Sequence, residues 1–417
     1  MLEGQCRSFP DCTISAAIWL PLIESSNRPL QRDAHGEPQL SPANAELLAN
    51  ATARLEAFFA QMEATGVAAD AVAAAGRRAA LASDSPSGSG AEGAAGGGFC
   101  SLRLMLVAEI VGDEQMEAIM PINAVRNAAF LAIDTPLAAM VDVDLSVNEG
   151  LAARILANKT RLQELLSRAQ SQRTAWVLPC FDVHRNVSRG EKSAVVDEVL
   201  AVPVEEKSTK LLSMWRDQHR IHPFAADRYA LGHNATDYDR WFLSQREYVS
   251  GFQDGYEPWF MAARELMPPY DVRIRGRYHD KITNVRHAMK MLTFMVAPDV
   301  WLVHRPHGLS PSHLGYRNGT HAAGTWALEK EFSFNGSVAQ AGDLYLKATL
   351  RSYRDVIRRT NHNIYVPVVD ESWVHCRDVL PWWQQRGNAT DVTSSSAAHL
   401  HAVGQQQQQI IHHRRRR

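Results

Sequence analysis

The strongest constraint on the fold of this 417-residue chain is an alternation of apolar, strand-like segments with segments of helical spacing. Strands are predicted over 13–23, 99–111, 137–147 and 174–183, and helices over 43–82, 122–133 and 148–172. Such alternation predicts an α/β fold in which helices flank a mostly parallel central sheet. Because ligands bind at the carboxyl ends of strands in these sheets, polar residues that follow strands are the first candidates for function.

Composition shifts divide the chain into four predicted parts. Residues 1–82 hold the first strand and a helical part of the main domain, and 99–385 hold the rest of that domain. The Gly/Ser/Ala-rich insertion 83–98 is predicted to be flexible because it has nothing to bury, and the low-complexity, Gln- and Arg-rich tail 386–417 is predicted to be disordered. Within the main domain, 347–366 is predicted as an amphipathic helix followed by an edge strand.

Two aspartates stand inside an apolar segment in the stretch MVDVDLSV, residues 140–147. If this stretch is a strand, Asp142 and Asp144 point to the same face, because strand side chains alternate. Two such carboxylates repel each other unless a cation lies between them, and their oxygens suit Mn²⁺ or Mg²⁺. The alternatives are a pair of helix-capping or simply solvated aspartates at a strand end.

Further candidates lie in two segments of the second half of the chain. In VWLVHRPHGLSPSH, His304 and His307 follow a short strand, and either imidazole could join the aspartates on a metal, which would favour Mn²⁺. A structural role for these histidines is the alternative. In GYEPWFMAARELMPPYDVRIRGRYHDK, the aromatic surroundings of Glu257 could raise its pKa and make it a general base, with Asp280 as second candidate. The alternatives are a pairing of Glu257 with Arg264 or a role as a charge at a helix N-terminus.

Charge and hydropathy exclude several classes of protein. The formal net charge is −1, which gives no basic footprint for nucleic acid, and the terminal HHRRRR belongs to the low-complexity tail. No apolar stretch approaches the roughly 20 residues of a membrane-spanning helix. No GxSxG, P-loop or HExxH motif occurs, so the usual signatures of serine hydrolases, P-loop nucleotidases and zincins are missing.

Cysteines and sequons bear on the compartment. Five cysteines are too few and too scattered to predict a disulfide framework or a zinc site. Asn-x-Ser/Thr sequons are more frequent than ordinary Ser and Thr usage gives, which predicts a glycosylated, lumenal protein. They occur at Asn50, Asn158, Asn186, Asn234, Asn318, Asn335 and Asn388. Because the N-terminus is a poor signal peptide, a membrane anchor is expected to lie outside this chain.

Several motifs in a fixed order resemble the family 49 glycosyltransferases, which include the second catalytic domain of LARGE-type enzymes and a β-1,4-glucuronyltransferase. The resemblance rests first on a Pro-x-Asn-x-x-Arg-Asn segment, a Thr-Pro turn, Asp-x-Asp and Gly-Leu. These residues are Pro121, Asn123, Arg126, Asn127, Thr135, Pro136, Asp142, Asp144, Gly150 and Leu151. The segments YEPWFMAARELMPPYDVRIRGRYHDK and FMVAPDVWLVHRPHGLSPSH complete it, so that it covers residues 13–312 with interruptions.

The resemblance implies a GT-A nucleotide-sugar-binding fold and an inverting, metal-dependent transferase of the Golgi lumen. Its donor would be a UDP-sugar, UDP-glucuronate in the best-known members, and its acceptor a glycan or glycoprotein. Asp142 and Asp144 would form the metal and diphosphate site, with His304 favoured over His307 to complete the metal shell. Asn123, Arg126 and Asn127 would bind the donor. Asp280 stands where animal members tend to have Asn.

Two other classes of function remain open from the sequence. One is a non-catalytic carbohydrate-binding relative, which would be favoured if Glu257 or the histidines lay far from the aspartates. The other is a metal-dependent phosphohydrolase, which would require more carboxylates around the metal, ideally in a two-metal cluster.

Overall fold

The structure is a computed structural model. It describes residues 2–9, 12–24, 31–33, 38–82, 100–112, 119–276, 279–308, 316–317, 325–326, 331–334 and 337–384, and the side chains of 67–82 are left aside. The predicted insertion 83–98 and tail 386–417 lie outside these described residues.

The helices, in chain order, are α1 (Leu2–Ser8), α2 (Pro42–Ala82), α3 (Ile122–Leu131), α4 (Lys159–Ser171), α5 (Lys192–Leu200), α6 (Leu212–Arg216), α7 (Tyr238–Leu243), α8 (Asp280–Met291), α9 (Ala341–Asn361), α10 (Glu371–Val379) and α11 (Pro381–Gln384). The strands are β1 (Thr13–Ile23), β2 (Ser101–Val111), β3 (Leu137–Ala139), β4 (Leu145–Val147), β5 (Thr174–Leu178), β6 (Cys180–Val183), β7 (Ile221–Pro223), β8 (Tyr248–Val249), β9 (Trp259–Ala263), β10 (Thr293–Val296), β11 (Leu302–His304), β12 (Tyr316–Arg317), β13 (Thr325–Trp326), β14 (Glu331–Phe334) and β15 (Ser337–Gln340).

The predicted α/β class is confirmed, and the strand directions are more mixed than expected. β1 and β2 form a parallel pair of their own, with Thr13 opposite Ser101. A five-stranded sheet has the order β3-β9-β5-β10-β8, and a four-stranded sheet the order β4-β11-β6-β7. Within these two sheets only β5–β10 and β6–β11 are parallel. The expected mostly parallel sheet is therefore a mixed one, because β9, β4 and β7 enter against the direction of their neighbours.

Three segments of the chain pass from the five-stranded sheet to the four-stranded sheet, as β3 to β4, β5 to β6 and β10 to β11. Between β5 and β6 the break falls at Pro179, whose nitrogen cannot donate to a ladder while its carbonyl accepts from Leu302 N at 2.7 Å. Buried side chains of both sheets, including Trp176, Trp259 and Leu145, share one core cluster. Four polar residues of the candidate site lie on these crossing segments, namely Asp142, Asp144, Asp182 and His304.

Two long predicted elements are broken in the structure. The predicted strand 137–147 is interrupted by a turn, so Asp142 and Asp144 do not lie in a strand. The predicted helix 148–172 becomes a π-helical turn, Leu151–Leu156, followed by α4, which Asn158 caps by accepting from Arg161 N at 3.0 Å. Asn148, the first residue of that predicted helix, accepts from Trp301 N at 2.9 Å. The edge strand expected after α9 does not form in 364–370.

Other features bear on compartment and organisation. Cys6 and Cys100 form a disulfide across 94 residues of sequence, which the sequence did not predict. None of the described helices is both long and apolar enough to cross a membrane. The chain divides into two compact units, Met1–Trp373 and Val374–Arg417. Of the second unit the structure describes the end of α10 and α11, where Arg377 stacks over the Trp383 ring.

Candidate active site

His304 at the end of β11 lies between two carboxylates. β11 pairs with β4 on one side and with β6 on the other, so Asp144 and Asp182 flank the imidazole. The Nδ1 atom of His304 is 2.8 Å from Asp182 Oδ1, and its Nε2 atom is 3.3 Å from Asp144 Oδ2. Burial lowers the pKa of His304, but its bonds to Asp144 and Asp182 outweigh burial and raise this pKa to about 9.

Asp144 also contacts the second histidine. His307 Nε2 lies 3.0 Å from Asp144 Oδ2, and one ligand atom each from Asp144, His304 and His307 lies within 4.8 Å of the others. A donor set of one carboxylate and two imidazoles is one that can bind a divalent transition-metal ion. The residues present therefore fit a metal ion, with both predicted histidines on Asp144.

Asp182 was missed by the sequence reasoning. Its Oδ1 holds His304, and its Oδ2 accepts from Arg228 Nη2 at 2.7 Å and from Ala225 N at 3.3 Å. Burial raises the pKa of Asp182, but His304 and Arg228 outweigh it and lower this pKa. A carboxylate on the far nitrogen of a metal-binding histidine fixes the orientation of the ring. A signal was present in the sequence, because Asp182 stands in the apolar stretch TAWVLPCFDV just as the Asp-x-Asp pair stands in MVDVDLSV.

Replacing Asp182 by asparagine is expected to weaken Mn²⁺ binding about 10- to 100-fold, because His304 loses the charged partner that orients it. Titration calorimetry with Mn²⁺ measures the change. Asp227→Asn, a nearby aspartate paired with Arg228 at 3.5 Å, is the matched control and should bind Mn²⁺ as the native protein does. Equal affinity of the Asp182 and Asp227 variants would contradict this role.

Asp142 faces a different set of partners from Asp144. Its Oδ2 accepts from Lys281 Nζ at 2.9 Å, and its Oδ1 lies 3.5 Å from Arg126 Nη2. Burial raises the pKa of Asp142, but Lys281 and Arg126 outweigh it and lower this pKa to about 2. The two aspartates thus diverge, one toward the histidines and one toward two cations. Lys281 was not singled out from the sequence, although it follows Asp280 directly.

The predicted donor-site residues on α3 are brought together with Asp280. Arg126 donates to Asp280 Oδ2 at 2.6 Å and to Asn123 Oδ1 at 3.2 Å. Asn123 donates in turn to the carbonyl of Asp271, and the Asn127 amide is engaged twice with the backbone of Tyr270, at 2.8 Å each. In this arrangement, Asn123 and Asn127 fix the 270–271 segment against α3, and Arg126 is the side chain that faces Asp142.

Glu257 has the electrostatic surroundings of a base. Burial raises its pKa to about 7, with Asp280 and Asp142 adding to the rise and Lys281 and Arg126 opposing it. Its backbone nitrogen donates to Gly232 O at 2.9 Å. Within the described part of the chain its carboxylate makes no hydrogen bond and no ion pair, including with the expected alternative partner Arg264. The charge on Glu257 is thus coupled to the Asp142–Lys281 pair.

The aromatic side chains near Glu257 are interior. Tyr256 and Trp259 are each 2% exposed, so their ring faces are packed inside the protein and offer no surface to a sugar. His233 stacks on Trp259, and the Lys281 ammonium lies 4.3 Å from the centre of the Trp259 ring. Burial, aided by Lys281, lowers the pKa of His233 to about 3, so this imidazole is neutral. These rings form an apolar layer on which the charged Lys281 side chain packs.

The mixed α/β fold is consistent with a glycosyltransferase domain, and comparison with known families assigns the chain to one. The sequence pattern of the family described as glycosyl-transferase for dystroglycan matches residues 100–323, more than half of the chain. The chain therefore belongs to this glycosyltransferase family, as its motifs predicted.

Curated relatives agree with this assignment. The chain is 25% identical over 215 residues to the glycosyltransferase-like protein LARGE of Caenorhabditis elegans, covering 49% of this chain and 30% of the relative. It is 27% identical over 192 residues to the xylosyl- and glucuronyltransferase LARGE2s of Gallus gallus, covering 46% and 23%. For LARGE1 of Danio rerio the identity is 26% over 219 residues, covering 52% and 26%. The matched part of the chain spans less than a third of these relatives.

Proposed function

We propose that this chain is an inverting, metal-dependent glycosyltransferase of GT-A type that moves a sugar from a UDP-sugar to a glycan or glycoprotein acceptor. The observation that carries the proposal is the grouping of Asp144, His304 and His307 within 4.8 Å. Asp144 of this group lies on the same turn as Asp142, whose cationic partners also act on the charge of Glu257. One turn thus links a set of metal ligands, a pair of cations and the candidate base.

Asp144, His304 and His307 would hold the metal ion, Mn²⁺ or Mg²⁺. Bound there, the ion would neutralise negative charge on the diphosphate leaving group. Asp142 has a separate task, because Lys281 and Arg126 already surround it. It holds these two cations in the site, and its low pKa keeps it charged at all physiological pH values.

Arg126 and Lys281 suit an anionic donor. Guanidinium and ammonium groups bind phosphate and carboxylate oxygens through charge-assisted hydrogen bonds. A uronate donor such as UDP-glucuronate carries both kinds of group, and several of the relatives are named xylosyl- and glucuronyltransferases. UDP-glucuronate is therefore the first donor to test.

Glu257 is the base in this proposal. Inversion requires a single displacement, in which the base takes the proton of the acceptor hydroxyl and no covalent nucleophile is needed. A pKa of about 7 gives Glu257 enough basicity while leaving much of it deprotonated at neutral pH. Asp280, the second candidate, already accepts a bond from Arg126 at 2.6 Å, which makes its carboxylate less available to an acceptor.

The proposed enzyme would act in the lumen of the secretory pathway, in the Golgi. Every sequon asparagine within the described residues is exposed, namely Asn50, Asn158, Asn186 and Asn234. The Cys6–Cys100 disulfide also suits an oxidising compartment. The remaining sequons, at Asn318, Asn335 and Asn388, lie outside the described residues.

A panel of UDP-sugars with Mn²⁺ tests the proposal by UDP release with and without glycan acceptors. We expect one donor, UDP-glucuronate first, to release UDP only when an acceptor is present. UDP release that does not depend on the acceptor would favour a phosphohydrolase. Against that function, the described residues offer only one three-ligand group and no two-metal cluster. Glycan binding without any release would favour a non-catalytic carbohydrate-binding relative.

A further inference from the structure

The turn that carries Asp142 and Asp144 is held from outside by the N-terminal helix. α1 packs against β4, and the Gln5 side chain is 6% exposed. Its Nε2 donates to the Asp142 carbonyl at 2.9 Å and to the Leu145 carbonyl at 3.4 Å. These two carbonyls bracket the turn, so a single amide group bridges its first and last residues.

The other backbone hydrogen bonds of the turn fix its Asp144 side, so the position of its Asp142 side depends on Gln5. Leu145 N donates to the Asp142 carbonyl at 3.1 Å, which closes the turn, and Arg305 N donates to the Asp144 carbonyl at 2.7 Å. The bond from Arg305 fixes the Asp144 side of the turn to the segment that follows β11. On the Asp142 side, Gln5 ties the backbone of the turn to α1.

The position of Gln5 depends in turn on the disulfide. A seven-residue helix such as α1 is too short to be stable by itself. Cys6, the next residue, is bonded to Cys100, which precedes β2, and both sulfur-bearing residues are buried with Met62 and Leu102. Phe9, just after the helix, packs into the main core cluster. The covalent link therefore holds α1 between β2 and the turn.

We propose that Gln5 is a positioning residue for the Asp142–Leu145 turn, and that the Cys6–Cys100 disulfide keeps it in place, so that metal and donor binding depend on the oxidised state. The metal part of this inference rests on the proposed function, and the positioning part does not. Reduction by a dithiol transfers two electrons and two protons to the disulfide, giving the Cys6 and Cys100 thiols and the cyclic disulfide of the reagent. α1 then retains only non-covalent contacts.

Gln5→Met tests the positioning part, because methionine has a similar length and no donor. Hydrogen exchange of the metal-free protein should speed up by about tenfold at the amides of 142–147, since the variant loses one buried and one partly buried hydrogen bond. Ser8→Ala is the matched control: it removes a bond from the same helix to the Gly4 carbonyl and should leave exchange in 142–147 unchanged. Native exchange in Gln5→Met would overturn the proposal.

Reduction of the native protein tests the disulfide part without a variant that must fold. Peptide mapping first identifies Cys6 and Cys100 as the reduced pair. Exchange in 142–147 should then rise as in Gln5→Met, and the Mn²⁺ concentration for half-saturation should rise about tenfold, with kcat at saturating Mn²⁺ and donor within twofold. Unchanged exchange and unchanged Mn²⁺ dependence would refute the link. If exchange rises but the native protein binds no Mn²⁺, the positioning role stands and the proposed function fails.

Discussion

Asp144→Ala is expected to lower the transfer rate at least about a hundredfold and to remove Mn²⁺-dependent UDP binding. The physical reason is that Asp144 Oδ2 is the oxygen that both His304 and His307 face. Without it, two imidazoles remain, and the several kcal/mol of charge stabilisation that a metal ion supplies is lost. UDP binding is measured by calorimetry with Mn²⁺, and transfer by product mass.

The control for this variant is Asp239→Ala, which removes an aspartate that is 72% exposed and paired with Arg216. It should bind UDP and transfer sugar as the native protein does. Circular dichroism and the melting temperature separate loss of metal from loss of fold in the Asp144 variant. A folded Asp144→Ala that still binds UDP with native affinity in Mn²⁺ would refute the assignment of Asp144 as a ligand.

Glu257→Gln is expected to lower kcat by about 10²- to 10⁴-fold, because the amide cannot accept the acceptor proton. Donor binding should change little, since the Glu257 carboxylate makes no hydrogen bond within the described residues. Rapid-quench transfer assays at saturating donor measure the effect. Glu164→Gln, on an exposed part of α4, is the control. Undiminished turnover in Glu257→Gln would rule out Glu257 as the base.

The raised pKa of Glu257 also gives two pH dependences with a defined sign. Because the deprotonated form is the base, kcat/KM should rise with pH and level off above about 7. For stability, the folded state holds this proton more tightly than the unfolded chain, where the pKa is near 4.5. This stabilising contribution is fully present below pH 4.5 and is lost as the pH rises through about 7. Chemical denaturation should therefore show the free energy of unfolding of Glu257→Gln rising relative to that of the native protein between these two pH values.

Local patterns in the sequence predicted much of the fold and the main polar groups of the candidate site. The apolar segments for β1, β2 and β5 and the helical spacing of α3 were sufficient, because each is long and bounded by turn residues. The same reasoning placed Asp142 and Asp144 at the end of a strand, near the turn where the structure has them. Motif order added the two histidines, which lie 160 and 163 residues from Asp144.

The rest depends on contacts that no local pattern specifies. The chain changes sheets at Pro179 and at the Asp142–Asp144 turn, and short strands on either side read as one continuous apolar run in the sequence. Asp182 and Lys281 became part of the site only because β6 and α8 pack beside β11 and α3. Gln5 reaches the turn across 137 residues, through a helix held by a disulfide that cysteine spacing did not predict.

Metal-dependent binding of UDP is tested most directly by a calorimetric titration of UDP into the native protein, in Mn²⁺ and again in excess chelator. We expect saturable UDP binding in Mn²⁺ and loss of that binding with the chelator, because Asp144, His304 and His307 then hold no ion for the diphosphate. Equal UDP affinity in both solutions would contradict it.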